Sequence, residues 1–154
     1  MIGKLEIVIG DQTHSLDPDE ELKMAEETIN DDLKNQPSLY AFYAVMQEAA
    51  ESELAECKLA VETIEAALDD RLRSEALAAS SKLTETQLAN KIRLNDDFLN
   101  ATVAYNKAKR QAGMLRAIKE AFVHRKDMLV TLASNMRAQA DPSIYVRTQE
   151  LKKA

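Results

Sequence analysis

The sequence predicts an all-α protein: an elongated antiparallel hairpin of two long helices with short flanking helices, assembling into a homo-oligomer. Its 154 residues include only three Gly and three Pro, so residues that favour turns are scarce. Ala, Leu, Glu, Lys and Arg are abundant, as in long helices. Two stretches, 38–79 and 95–138, repeat apolar residues at spacings of three and four, which is the period of one helix face.

The first 37 residues are predicted to form an acidic arm with a short helix, separate from a single helical-hairpin domain at 38–154. Residues 5–9 alternate in a way that favours a short strand, and residues 10–15 are predicted to be a polar turn. Asp17 followed by Pro18 is typical of a helix start. This helix is expected to reach about Lys34 and to be stopped by Asn35 and Pro37.

The first long helix is predicted from Ser38 to about Ala79, with a break at Ser80 and Ser81. Its apolar residues have near-heptad spacing, which calls for a partner helix of similar length. They are Leu39, Tyr43, Met46, Ala50, Leu54, Cys57, Val61, Ile64 and Leu68. Thr84 and Gln87 have the spacing of a capping box, so a short helix is expected from Glu85 to Leu94.

The second long helix, residues 95–138, is predicted to supply that partner. Its apolar face is formed by Ala101, Tyr105, Ala108, Ala112, Leu115, Ile118, Phe122, Leu129, Leu132 and Met136. Arg125 occupies a position on this face, either pairing with an acid across the helix interface or lining a path for DNA. Gly113 costs roughly 1 kcal/mol relative to Ala, and the close approach of another backbone would compensate. Asp141 and Pro142 are predicted to end the helix.

Charge is divided unequally along the chain. Residues 1–70 hold 4 Lys/Arg and 18 Asp/Glu, whereas residues 71–154 hold 16 Lys/Arg and 8 Asp/Glu. Such asymmetry indicates an internal match between acidic and basic helices, an anionic partner for the basic half, or both.

Several classes of protein are disfavoured. Cys57 is the only cysteine, so no intramolecular disulfide can form, which fits a reducing compartment. We read no signal peptide at the N-terminus and no apolar run of roughly 18 residues, so a cytoplasmic protein without membrane partners is expected. Metal-binding motifs, Gly-rich phosphate loops and clustered catalytic residues are missing from the sequence. We therefore predict a protein that is not an enzyme, with no catalytic residues, metal site or cofactor.

The remaining chemistry is anion binding. There are two groups of cations, one around the predicted helical break and one on the second long helix. Contacts of such cations with a phosphate backbone release condensed counterions, which favours binding. The cations are Arg71, Arg73, Lys82, Lys91 and Arg93, followed by Lys107, Lys109 and Arg110. Tyr105, close to the second group, is placed where a base could stack.

Residues 68–137 resemble the UvsY family of phage recombination mediators. The resemblance lies in the order of the helices, in the segment ALDDRL at 67–72, and in the pattern of apolar and basic positions in TETQLANKIRLNDDFLNA and AFVHRKDMLVTLASNMR. ALDDRL is similar to the family's basic DNA-binding segment. Arg71 matches its Arg, but Asp69 stands where the family carries Lys.

The resemblance implies a function in DNA recombination, repair and replication. A non-catalytic, ring-like homo-oligomer would bind single-stranded DNA in a groove and promote the loading of a recombinase onto strands coated by single-strand-binding protein. If the protein is phage-encoded, it would act in the host cytoplasm. The alternative is a helical-hairpin scaffold or assembly chaperone that acts only through protein–protein contacts.

Overall fold

The computed structural model describes residues 3–140, and these are mostly helical. Two strands, β1 (Leu5–Ile9) and β2 (Gln12–Leu16), precede four helices: α1 (Pro18–Glu21), α2 (Ile29–Ala78), α3 (Glu85–Arg93) and α4 (Asp96–Ala140). The long helices α2 and α4 pack together, as the sequence predicts. Within the described residues there are two compact units. The first holds residues up to Val8, Thr13–Met46 and the part of α4 from Arg116, and the second holds Ile9–Gln12 and Gln47–Leu115.

The N-terminal strand has a partner that the sequence did not reveal. β1 and β2 form a two-stranded sheet joined by Gly10 and Asp11. Gly10 has a φ of +62°, which a tight hairpin requires at its first central position and which glycine adopts without steric cost. The prediction that residues 10–15 are only a polar turn is therefore wrong. β2 is rich in polar residues, but Leu16 at its end is buried, as is Ile7 of β1.

The first helix boundary also differs from the prediction. α1 stops at Glu21 rather than near Lys34, and α2 begins at Ile29 and continues through Pro37. A proline inside a helix lacks the N–H that would bond the carbonyl of Leu33, at a cost of about 3 kcal/mol. The first turns of α2 are held against α4 by contacts of Asp32 and Gln36, which offset that cost.

Those contacts belong to a buried polar network in the first unit. Arg125, with a side chain only 3% exposed, donates to Asp32 Oδ1 at 2.7 Å, to Gln36 Oε1 at 2.7 Å and to the carbonyl of Lys23 at 3.0 Å. Gln36 in turn donates to the carbonyl of Phe122 at 2.6 Å. Of the two readings of Arg125, pairing with an acid across the helix interface is therefore the one that the structure shows.

Aromatic packing lies next to this network in the first unit. Tyr43 of α2 stacks on Phe122 of α4 with ring centroids 4.8 Å apart, and both side chains are fully buried. Phe42 meets the edge of Tyr43 at 5.2 Å but is itself exposed. The direction of these contacts, with early α2 residues facing late α4 residues, makes the two helices antiparallel.

The predicted apolar face of α4 is confirmed. Ala108, Ala112 and Leu115 are buried in the second unit, and Phe122 and Leu129 in the first. Gly113 differs from expectation: a Cβ built there meets no described atom within 4 Å, so no close backbone approach offsets its cost. α4 is described to Ala140, and the predicted stop at residues 141–142 lies outside the described residues.

The end of α2 is confirmed at the predicted break. Ser80 adopts a φ of +52°, its N–H donates to the carbonyl of Leu77, and the N–H of Ser81 donates to the carbonyl of Ala76 at 2.9 Å. These bonds form a Schellman motif, which usually places glycine at the position that Ser80 occupies. A non-glycine residue in this conformation is strained by about 1–2 kcal/mol.

Candidate nucleic-acid interface

The position of α3 is set by its cap and by a small apolar core in the second unit. Thr84 Oγ1 accepts from the N–H of Gln87 at 3.3 Å, and Gln87 Oε1 accepts from the N–H of Thr84 at 3.1 Å. This is the predicted capping box. Leu88 and Ile92 of α3 are buried together with Leu68 of α2, which docks α3 beside the end of α2.

All eight predicted DNA-binding residues are exposed at the surface of the second unit. Two lie near the end of α2, one in the connection to α3, two in the last turn of α3 and three on α4. In that order they are Arg71, Arg73, Lys82, Lys91, Arg93, Lys107, Lys109 and Arg110. The structure thus places them on three helices and one connection rather than on one continuous helix face.

Predicted cations that are close in sequence do not all point to the same side of their helix. At about 100° per residue, Lys107 and Arg110 lie roughly 60° apart on one side of α4, and Lys109 points to another side. Lys91 and Arg93 are separated by roughly 200° in the same way, on either side of the buried Ile92. Lys107 and Arg110 therefore share one side of α4, whereas Lys91 and Arg93 do not share a side of α3.

Arg73 is the predicted residue with the most extensive contacts. Its Nη1 and Nη2 donate to the two carboxylate oxygens of Glu85 at 3.0 and 2.9 Å, and its Nε donates to Asp69 at 2.8 Å. The hydrogen bond from Arg73 lowers the pKa of Glu85, and the bonds to Glu85 and Asp69 raise the pKa of Arg73. Arg71 makes a looser ion pair with Glu75, at 3.7 Å.

The partners of Arg73 were missed by the sequence argument. Asp69 lies four residues before Arg73, a spacing at which helix side chains meet, so this pair was recognisable. Glu85 lies 12 residues away on a different helix, and only the docking of α3 brings it into contact.

The two long helices contribute opposite charge to the second unit. Residues 47–78 of α2 hold nine Asp/Glu and three Lys/Arg, whereas residues 98–115 of α4 hold three Lys/Arg and no Asp or Glu. Tyr105 is half-buried, which limits the ring surface available for stacking a base. The exposed Lys and Arg side chains of the second unit, chiefly those of α4, can therefore bind an anionic chain.

A metal centre and a membrane-spanning helix are not features of residues 3–140. No group of three or more His, Cys, Asp or Glu in this range is arranged to hold a metal ion. Cys57 is a free, half-buried thiol on the predicted apolar face of α2. None of the described helices is both long and apolar enough to cross a membrane.

The fold defines a mostly helical protein built on two long packed helices, with cations exposed around α3 and on α4. Comparison with protein families, characterised proteins and solved structures finds no match to this chain.

Proposed function

We propose that this protein is a non-catalytic recombination mediator that binds single-stranded DNA and promotes recombinase loading onto strands coated by single-strand-binding protein. The observation that carries the proposal is the carboxylate-free stretch at residues 98–115, where Lys107, Lys109 and Arg110 are all exposed. A phosphate chain can approach this part of α4 without meeting a carboxylate of the same helix stretch. The resemblance of residues 68–137 to the UvsY family supports the same function.

Binding would be driven by phosphate contacts rather than by recognition of bases. Each contact releases condensed counterions, so the affinity depends on salt and hardly on sequence. A homo-oligomer would multiply weak contacts from each copy along one strand. The mediator function follows if the oligomer holds the strand in a conformation that favours binding of the recombinase. The same conformation would weaken binding of the single-strand-binding protein.

Exposed apolar side chains support self-association and equally favour the scaffold alternative. Leu59 and Val103 are 64% and 67% exposed, and both lie in the second unit. The predicted apolar residues of α2 from Leu54 to Ile64 are only half-buried within one chain. In the scaffold reading, these residues contact proteins and no DNA is bound.

A salt titration separates the two functions. The anisotropy of a labelled oligo-dT strand is measured at low and moderate salt, with the mass of the protein read by light scattering on the same sample. We expect salt-dependent binding by a defined oligomer. Replacing both Lys107 and Arg110 by Glu is expected to weaken binding at low salt by at least about 10-fold, because two phosphate contacts become repulsive.

The matched control is the double variant Lys34→Glu and Lys58→Glu. It changes the net charge equally but alters two exposed lysines that lie outside the predicted DNA-binding set and each pair with an acid on α2. A control variant that loses as much affinity as the α4 variant would refute the assignment of the contacts to α4. A defined oligomer without any binding at low salt would refute the mediator and favour the scaffold.

A further inference from the structure

The guanidinium of Arg73 is already bound in the way that a guanidinium binds phosphate. Two of its N–H groups meet both oxygens of Glu85, at 3.0 and 2.9 Å, and a third meets Asp69 at 2.8 Å. The planar fork of arginine fits a carboxylate and a phosphate with the same two-point geometry. A strand that used Arg73 would compete with these two carboxylates for the same N–H groups.

We infer that Glu85, assisted by Asp69, is an autoinhibitory carboxylate that occupies Arg73 until a DNA phosphate displaces it. This inference rests on the proposed single-strand binding and describes how that binding is regulated.

Displacement of Glu85 is compatible with the packing of α3. The side chain of Glu85 is 77% exposed, and an exposed ion pair is held only weakly against water. α3 is held independently by its capping box at Thr84 and Gln87 and by the buried Leu88 and Ile92. Glu85 can therefore release Arg73 while α3 stays docked.

The contrast with Arg71 supports this division of roles. Arg71 forms an ion pair with Glu75 at 3.7 Å, beyond hydrogen-bond distance, so its side chain is held less firmly than that of Arg73. Arg73 has three bonds to exchange. Arg71 would then make the first contact, and Arg73 would join after it exchanges Glu85 for a phosphate.

The test is Glu85→Gln, which removes the charge of the competitor but retains an amide of nearly the same shape. The matched control is Glu65→Gln. Glu65 lines the same small cleft as Asp69 and Glu85, so its loss changes the local charge equally, but it forms no ion pair with Arg73 within the described residues. Both variants are compared with the wild-type chain by anisotropy of oligo-dT across a series of salt concentrations.

We expect Glu85→Gln to bind on the order of 3- to 10-fold more tightly at low salt than wild type. The slope of log K against log salt should steepen by roughly 0.7, the value for one additional phosphate contact on a single strand. Glu65→Gln should leave the slope unchanged. In an Arg73→Gln background, Glu85→Gln should have no effect, because the residue that it releases is missing.

The outcomes separate this inference from the proposed function. If wild type binds with a salt dependence but Glu85→Gln behaves as Glu65→Gln does, the autoinhibition is refuted and the function stands. The same holds if the gain persists without Arg73. If neither wild type nor Glu85→Gln binds at low salt, the proposed function is refuted and the inference with it. If Glu85→Gln binds the strand and wild type does not, the carboxylate of Glu85 inhibits the wild-type chain completely, which supports both the inference and the function.

Discussion

Replacement of Arg125 by Met is the sharpest test of how the first unit is held together. The side chain of Arg125 is 3% exposed and donates three hydrogen bonds, to Asp32, Gln36 and the carbonyl of Lys23. Methionine fills a similar volume but donates none of them. The carboxylate of Asp32, only 19% exposed, would lose the guanidinium that compensates its charge.

The expected loss can be worked out from these contacts. Removing one member of a buried ion pair costs about 3–5 kcal/mol, because the other charge is left without a partner. Asp32 is partly exposed and keeps a hydrogen bond from Thr28 at 2.7 Å, which places the loss at the lower end. We expect a decrease in the free energy of unfolding of about 3 kcal/mol, or about 6–12 °C in Tm for a chain of this length.

Urea unfolding followed by the circular dichroism of the helices measures this loss. Lys126→Met is the matched control, because Lys126 is the next residue on α4 and pairs with the exposed Asp127. It should change the stability by less than about 0.5 kcal/mol. The double variant Arg125→Met and Asp32→Asn should recover part of the loss, because the uncompensated charge is gone.

A loss below about 1 kcal/mol for Arg125→Met would contradict this account. It would mean that the network adds little beyond the apolar packing of Tyr43 on Phe122. A loss of equal size in Lys126→Met would show that the effect comes from the charge of α4 in general. Either result would remove the explanation offered for the tolerance of Pro37 inside α2.

Two further predictions concern local stability. Ser80→Gly should stabilise the chain by about 1 kcal/mol, because glycine adopts the φ of +52° without strain. Thermal unfolding measures this stabilisation, and an unchanged or lower Tm would contradict the prediction. Burial alone would raise the pKa of Asp32, but hydrogen bonds from Thr28 and Arg125 outweigh it and lower the pKa below its usual 3.8. The unfolded chain therefore binds this proton first, so the stabilisation is full above about pH 4 and is lost as the pH falls through the folded-state pKa. Urea unfolding between pH 6 and pH 3 should show wild type losing more stability than Asp32→Asn, and parallel curves would refute this.

The local features of the fold could be predicted from the sequence. The apolar residues of α4 have the period of a helix face, and every apolar residue of α4 that is buried is one that the period selects. The capping box at Thr84 and the break at Ser80 were predictable for a similar reason, since their hydrogen bonds join residues within a few positions of one another.

Local signals failed where tertiary contacts override them. Pro37 is a strong stop signal by itself, yet α2 continues through it because neighbouring residues are anchored to α4. The strand β2 has a polar sequence that reads as a turn, and its pairing with β1 depends on the tight turn at Gly10. Only for Pro37 is the deciding interaction formed with a distant element of the fold, because the hairpin depends on the local turn at Gly10 and Asp11.

The candidate site shows the same division. The sequence by itself determined which residues are cationic, that α4 carries a stretch without carboxylates, and that the helices have long apolar faces to bury. Only the tertiary structure decided that Arg125 meets Asp32, 93 residues away, and that Arg73 is occupied by Glu85 of α3. The physical reason is that helix period and capping act over a few residues. The partner of a charged side chain depends on which helices pack together and in what register.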